Sequence, residues 1–354
     1  MPQPHASGHF RTDYANDWQL LQTRGQRTSA LAGVILACLF PFLASPFQLD
    51  LANQVLIAVV GAVALMLLTG YAGQVSLGHA GLMAAGAFTT GILARETGAP
   101  FWIALPASGV AGALIGFVFG LPSLRLRGLY LAVSTLALHF IVIHAGQEYE
   151  TRRGLSSGVV IDPPSLFGAE LIDPRLWYAA LFVCAGGTVL FALNLLRSRT
   201  GRAWRALHGR EPVAEALGIP VARAKVSAFV IASTLTAMSG SLFAYYRGFV
   251  SSEAFSLFLT IQYVAMIIIG GMGSILGAVL GATFVTLFPY LIEMAMAQLP
   301  GGESMSSLVF AVNYAAFGLV MILFLLFEPQ GLVGIWQRIR NWFLLWPFRQ
   351  RPLK

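Results

Sequence analysis

An all-α fold that crosses a bilayer about ten times is what the sequence predicts, and three observations carry that prediction. Of the 354 residues, 57% are hydrophobic and only 10% are charged, whereas soluble domains carry about 25% charged residues. Apolar windows of the length needed to span a bilayer, about 20 residues, recur along the chain almost free of charge. The short alternating segments of a membrane β-barrel are not the pattern here.

Ten windows are expected to be spanning helices: residues 29–46, 51–69, 75–94, 101–121, 129–146, 176–196, 226–246, 256–271, 276–295 and 306–327. The third opens on polar residues, and the eighth and ninth are separated near Gly273. An even number of spans puts both termini on one side. With the termini inside, 17 of the 22 Lys and Arg fall in inner segments, leaving Arg95, Arg152, Arg153, Arg175 and Arg247 outside. Positive residues concentrate on the cytoplasmic side of membrane proteins, so both termini are expected to be cytoplasmic. The net charge of +7 then reflects topology and anionic lipid rather than nucleic acid.

The chain divides accordingly. Residues 1–28 are expected to form a cytoplasmic tail, 29–327 a transmembrane domain, and 328–354 a basic cytoplasmic tail. The last of these mixes Trp and Arg as an interfacial anchor does. Two loops are long enough to have structure. The outer one, 147–175, holds Glu148, Glu150, Asp162, Glu170 and Asp173, and the inner one, 197–225, holds seven basic residues. The first window follows a long polar lead without an A-x-A site, so it reads as an uncleaved span. Cys38 and Cys184 fall inside spans and indicate neither a disulfide framework nor a metal site.

Several function classes are disfavoured. A P-loop needs G-x-x-x-x-G-K-[ST], but the two lysines are Lys225, preceded by Ala224, and the terminal Lys354. Any work driven by ATP must come from a partner. His139 and His144 are five apart, about 140° around a helix, and no H-E-x-x-H exists. They read as two interfacial histidines, and neither a catalytic residue nor a metal site is expected. The spans hold almost no carboxylates, Glu293 lying near a span end, which argues against ion coupling. Backbone carbonyls nevertheless remain able to hold Na⁺.

Residues 67–88, "LLTGYAGQVSLGHAGLMAAGAF", are polar and rich in glycine between two apolar runs. Gly70 and Gly73 are expected to break the helix, and Ser76 to cap the next one through its hydroxyl. Gln74 and His79 then sit near its first turns. Irregular backbone at membrane depth is tolerated only inside protein or beside a watery cavity. The stretch is therefore either a tight turn whose Gln74 and Ser76 meet water and headgroups, or a pathway lining made by Gln74, Ser76 and His79. Glycines repeat every four residues at Gly112, Gly116 and Gly120 and again at Gly273, Gly277 and Gly281. Such spacing makes a smooth face for close helix packing, within one subunit or at a subunit interface. The segments 73–81 and 271–281 also echo one another faintly, as internal repeats of transporters do.

The inner loop carries a helix expected over Ala203–Leu217, with Trp204, Leu207 and Leu217 as apolar members and Gly218 and Pro220 as its stop. Its "EPVAEALGIP" segment (211–220) is suited to docking on a cytoplasmic partner, with Ala214, Ala216 and Leu217 as a small apolar face; the alternative is a solvated basic loop that serves only the charge bias.

Five segments together resemble the LivM-type permeases of branched-chain amino acid ABC importers, over about residues 50–335. They are "TGYAGQVSLGHAG", "SLRLRGLYLAVSTLAL", "GRAWRALHGREPVAEALGIPVARAKVSAFVIAS", "GGMGSILGAVLGA" and "FEPQGL". The resemblance implies a multi-pass subunit of a bacterial inner membrane, paired with a second, homologous permease. It implies two cytoplasmic ATP-binding subunits that hold the ATP and Mg, and a periplasmic binding protein that delivers the ligand. This chain itself would carry no cofactor. The family's ATPase-contacting loop corresponds to "EPVAEALG", so Glu211, Glu215, Ala216 and Gly218, with Arg205 just before them, are the expected coupling residues. One departure stands in the outer loop: "RGLSSGV" (153–159) keeps Gly154, Ser156 and Gly158 but has Leu155 where the family often has a second glycine. Substrates implied are branched-chain or other hydrophobic amino acids. Urea, amides or other amino acids within the same broad family are alternatives, and an ion-coupled secondary carrier is the alternative from another class.

Overall fold

The computed structural model describes residues 24–126, 128–155, 158–166, 169–297 and 306–345. Most of the expected N-terminal tail, Arg127, Ser156 and the end of the C-terminal tail lie outside the described residues.

Thirteen helices are described: α1 Arg24–Leu43, α2 Pro46–Leu65, α3 His79–Thr97, α4 Phe101–Gly120, α5 Leu129–Arg152, α6 Pro174–Arg197, α7 Arg199–Gly209, α8 Glu211–Ala216, α9 Val221–Arg247, α10 Leu257–Gly270, α11 Ile275–Ala297, α12 Ser306–Phe327 and α13 Gly331–Leu345. Each of the ten apolar windows contains a helix. Among the described residues, six helical segments are long and apolar enough to cross a membrane: Pro46–Tyr71, Phe101–Leu124, Leu129–Arg152, Pro174–Arg197, Val221–Arg247 and Ile275–Met296. Val312–Phe327 with Gly331–Arg340, bent by 50°, makes a seventh if the pair is one span. The chain is thus a multi-pass helical membrane protein. The C-terminal segment expected as tail is in part helical, and Arg338 pairs there with Glu328 at 2.8 Å.

Local sequence accounts for the ends of these helices. Ser45 and Gln48 form a reciprocal capping box at α2, with Pro46 in the first turn, where its missing N–H costs nothing. Asp173 accepts from the Arg175 amide at 2.9 Å to start α6. Gly98 and Gly248 end α3 and α9 in the left-handed conformation.

The core lies around α9, which packs against α4, α3 and α2, while α10 and α11 pack on each other and on α2. These approaches require glycine. A Cβ at Gly112 would lie 2.5 Å from the Ala237 Cβ, and one at Gly116 would lie 2.6 Å from the Ser233 Cβ, so the first glycine series seats α4 on α9 within one chain. In the second series, Gly277 and Gly281 bring α11 against the α10 backbone, whereas Gly273 belongs to the turn between them. The tightest crossing near α9 lies outside both series. Side chains at Gly86 and Gly240 would collide with the carbonyls of Ala237 and Met83, where α3 meets α9. Small polar groups inside this seam bond across it, as Thr90 Oγ1 does to Ser241 Oγ at 2.6 Å.

The outer loop is tied down. β1 (Val159–Val160) pairs antiparallel with β4 (Phe249–Val250), and β2 (Ser165–Leu166) with β3 (Ala169–Glu170). Glu150 accepts from the Ser252 amide at 3.1 Å and from its hydroxyl at 2.7 Å. His139 is buried, 3% exposed, because Gly81 lets α5 approach so closely that a Cβ there would lie 2.7 Å from the His139 Cα.

Candidate coupling and translocation site

The glycine-rich stretch after α2 is built from inside the protein. The helix widens into one π-helical turn, Met66–Tyr71, a rare form that often marks functional segments. Gly70 therefore lies within helix, and the break comes at Gly73, whose φ of +69° suits glycine. The turn satisfies itself: Gln74 N donates to the Leu68 carbonyl at 3.0 Å, and Thr69 Oγ1 donates to the Gln74 carbonyl at 3.1 Å. Gln74 is 5% exposed and Ser76 3%. Protein, not water or headgroups, surrounds them.

Ser76 is not the cap of the next helix. Its hydroxyl accepts from the Gly78 amide at 3.3 Å, and α3 begins only at His79, with Gly78 at its N-cap. The freed amides are met by threonines of other helices. Leu77 N donates to Thr135 Oγ1 of α5 at 2.9 Å, and Ala80 N donates to Thr260 Oγ1 of α10 at 3.0 Å. A buried amide left without a partner costs about 1–3 kcal/mol, so these two hydroxyls hold the broken backbone in place.

Three of the motif segments converge here. The Gly273 amide lies 3.3 Å from Met66 Sδ, and a Cβ at Gly70 would lie 3.0 Å from the Gly273 nitrogen. On the other side, Gly331 sits so close to Gly270 and Gly271 that a Cβ there would lie 2.6 Å from the Gly271 nitrogen. The π-helical turn that leads into the first break thus meets the second break at Gly273, clamped by the turn before α13.

The inner loop touches the same place. The single helix expected over 203–217 is two helices, α7 and α8, parted at Arg210. Pro212 forces the break, since in a continuous helix its ring would clash with the His208 carbonyl. Trp204 and Leu207 are buried as expected, and Trp204 Nε1 donates to the Ala224 carbonyl at 3.1 Å and to Ser227 Oγ at 3.2 Å. That fastens α7 to the start of α9. At its far end, His208 lies against Gly73, where a Cβ would come within 2.9 Å of Nδ1.

The expected coupling residues separate into two groups. Glu215, Ala216 and Gly218 are exposed, and so is Leu217, at 73%. Ala214 is buried at 1%, so the apolar face of α8 consists of Val213, Ala216 and Leu217. Glu211 turns inward, its carboxylate 2.6 Å from Lys225 Nζ, and Arg205 bonds the Leu196 carbonyl.

At the opposite end of α9 lies a cavity of about 340 Å³ between α2, α3, α9, α10 and α11. Its lining includes Gln54, Gln262, Tyr263, Thr286, Arg247 and Glu293. None of Gln74, Ser76 and His79 reaches it. His79 stands behind the lining, its ring 4.5 Å from that of Tyr263 and its Nδ1 3.5 Å from Thr236 Oγ1, while its Nε2 has no partner among the described residues. Arg247 and Glu293 were visible in the sequence as charges at span ends. Gln54, Gln262 and Thr286 carried no signal there, because a lone polar residue in an apolar window fits many surroundings.

Residues 47–326 match the family described as branched-chain amino acid transport system / permease component. Two curated relatives, the high-affinity branched-chain amino acid transport system permease proteins LivM of Salmonella typhimurium and of Escherichia coli, are each 32% identical over 87% of this chain and 75% of their own length. BraD of Pseudomonas aeruginosa, with the same description, is 33% identical over 41% of this chain and 44% of its own. No solved structure matches the chain. With the family match covering most of the chain and both LivM relatives aligned along it, the chain belongs to the branched-chain amino acid transport system permease family.

Proposed function

We propose that this chain is the transmembrane permease subunit of an ATP-driven importer for branched-chain or other hydrophobic amino acids in a bacterial inner membrane. The observation that carries the reading is the contact of α7 with two parts of the bundle: Trp204 bonds the start of α9, and His208 rests on Gly73 at the paired helix breaks. A cytoplasmic partner engaging the exposed face of α8 at Glu215, Ala216 and Gly218 has a direct mechanical route to the bundle interior. Closure of two ATP-binding subunits then shifts α7 and α8 as a body, and α9 transmits the shift toward the cavity at its other end. Both termini are cytoplasmic and ten spans cross the membrane, in keeping with the charge bias of the loops. A second, homologous permease completes the path, and a periplasmic binding protein delivers the substrate. Chemistry on ATP belongs to the partners.

Reconstitution tests this reading. Proteoliposomes holding the chain, its partner permease and the two ATPase subunits should take up L-leucine from the binding protein only when ATP is supplied to the ATPase side. Uptake by the chain alone, driven by an ion gradient without ATPases, would establish a secondary carrier instead.

A further inference from the structure

The cavity at the end of α9 away from α7 has the composition of a binding site. Its volume of about 340 Å³ lies at the small end of ligand pockets, which run from about 300 to 1,000 Å³. Ile57, Met83, Leu259, Met266 and Val285 give it apolar walls. Its polar residues fall into two sets. One set is already committed: Tyr246 Oη bonds Asp50 Oδ1, Gln54 Nε2 donates to Asp50 Oδ2 at 2.7 Å, and Tyr290 Oη donates to Gln54 Oε1 at 3.1 Å. Asp50 thereby has both oxygens engaged in bracing α2 against α9 and, through Gln54, against α11.

The other set is uncommitted. Arg247 and Glu293 are exposed at the rim of the cavity and, among the described residues, neither has an ion-pair partner, while the Thr286 hydroxyl is buried without a hydrogen bond although it lines the cavity. A buried hydroxyl without a partner is costly, and a polar ligand in the cavity would satisfy it. The guanidinium of Arg247 rests on the Phe243 ring, 5.8 Å from its centroid, which holds the cation beside the cavity without neutralising it. One cation and one anion over apolar walls complement a small zwitterion with an apolar side chain.

We propose that this cavity is a transient substrate site within the permease, in which Arg247 receives the α-carboxylate and Glu293 the α-ammonium of an aliphatic amino acid, while its side chain lies among Ile57, Met83 and Leu259. Guanidinium suits the carboxylate because its planar fork can offer two parallel donors. The apolar walls accept several aliphatic side chains with little discrimination, since a methylene in such a pocket is worth about 1–3 kcal/mol. Tyr263 closes the cavity on the side of His79, so passage beyond it requires that ring to move. The inference rests on the reading that the chain moves amino acids, and it adds where in the chain they are held.

The test uses the complete importer in membrane vesicles, with Cys38 and Cys184 replaced by alanine and a cysteine introduced as Thr286→Cys or, separately, Gln262→Cys. Labelling by a small methanethiosulfonate reagent is followed with three probes: L-leucine, L-leucinol, which lacks the carboxylate, and 4-methylpentanoate, which lacks the ammonium. L-leucine should slow labelling about tenfold, and Arg247→Gln or Glu293→Gln should raise the leucine concentration needed by about tenfold. Equal protection by leucinol or 4-methylpentanoate would overturn the zwitterion assignment. If neither cysteine labels, or leucine protects neither while the same vesicles take up leucine, the cavity is not the site and the importer reading stands. If the importer containing the native chain takes up no amino acid at all, that reading fails and the cavity assignment falls with it.

Discussion

Lys225 Nζ sits 2.6 Å from Glu211 Oε1 and donates to the Ser123 carbonyl at 3.2 Å, with the lysine only 1% exposed. One ammonium thus joins the start of α8, the start of α9 and the turn after α4. Removing one member of a buried pair strands the other charge, at a cost of about 3–5 kcal/mol. Glu211→Gln should destabilise the chain more than Lys225→Met, because the lysine is the more deeply buried partner. The double variant should recover part of the loss. Thermal unfolding of the detergent-solubilised chain measures all three, and strictly additive losses would mean that the two groups act independently.

The crossing of α3 and α9 leaves no room for a side chain at Gly86 or Gly240. Gly86→Leu should abolish recovery of monodisperse protein. By contrast, nothing lies within 4 Å of a Cβ at Gly186, in the middle of α6. Gly186→Ala should be neutral or stabilising by up to about 1 kcal/mol, the helix-propensity difference. Size-exclusion profiles and melting temperatures of the two variants compare these outcomes.

Thr135 and Thr260 cap backbone amides that belong to another segment. Thr260→Val keeps the shape and removes the acceptor for Ala80, so it should cost about 1–3 kcal/mol. Thr135→Val should cost a similar amount through Leu77. Thr260→Ser, which restores the hydroxyl, should regain most of the loss in a thermal melt. A serine variant no better than valine would assign the loss to packing.

Gly218 ends α8 at φ +78° with nothing within 4 Å of a Cβ, so strain rather than collision limits what can replace it. Gly218→Val should reduce ATP-coupled uptake strongly, while Gly218→Asn, which tolerates the left-handed region, should retain most of it. Membrane insertion of both should match the native chain on immunoblots. Equal uptake by the two variants would show that the conformation of this turn does not matter for coupling.

Glu215 is exposed on the face of α8. Glu215→Lys should lower copurification of the ATPase subunits at moderate salt without altering the melting temperature of the isolated chain. Unchanged recovery would remove Glu215 from the contact.

The helical windows were legible from their long apolar runs, but not their ends: the boundary at Ser45-Pro46 falls inside the first window, and the third helix runs past residue 94 to Gly98. Gly73 announced a break, although Gly70 stays within helix, yet not what satisfies it: Thr260 lies 180 residues from Ala80, and no local pattern links them. Ser76 looked like a cap because serine before an apolar run usually is one, but the two residues that follow stay outside the helix with it. The inner loop was legible as a helix with a stop. Its break at Arg210 could have been read from Pro212. The ion pair of Glu211 with Lys225 was hidden, because the two lie on opposite sides of the turn at Gly218 and Pro220. The cavity was the least legible part, being assembled from five helices whose lining residues are individually ordinary.

The contact of Gly273 with Met66 joins residues 207 apart in sequence, which bears on how the chain is made. The first helix break is synthesised long before the second. Until α10 and α11 emerge, the widened turn after α2 lacks the surface that finally encloses it, and Ala80 lacks its threonine. The turn meets its own carbonyls and α5 supplies the acceptor for Leu77, so it is the Ala80 amide that stays unmet until α10 arrives, a condition tolerated poorly in hydrocarbon. Truncations that stop before α10 should therefore be cleared by quality control, however apolar their remaining helices are.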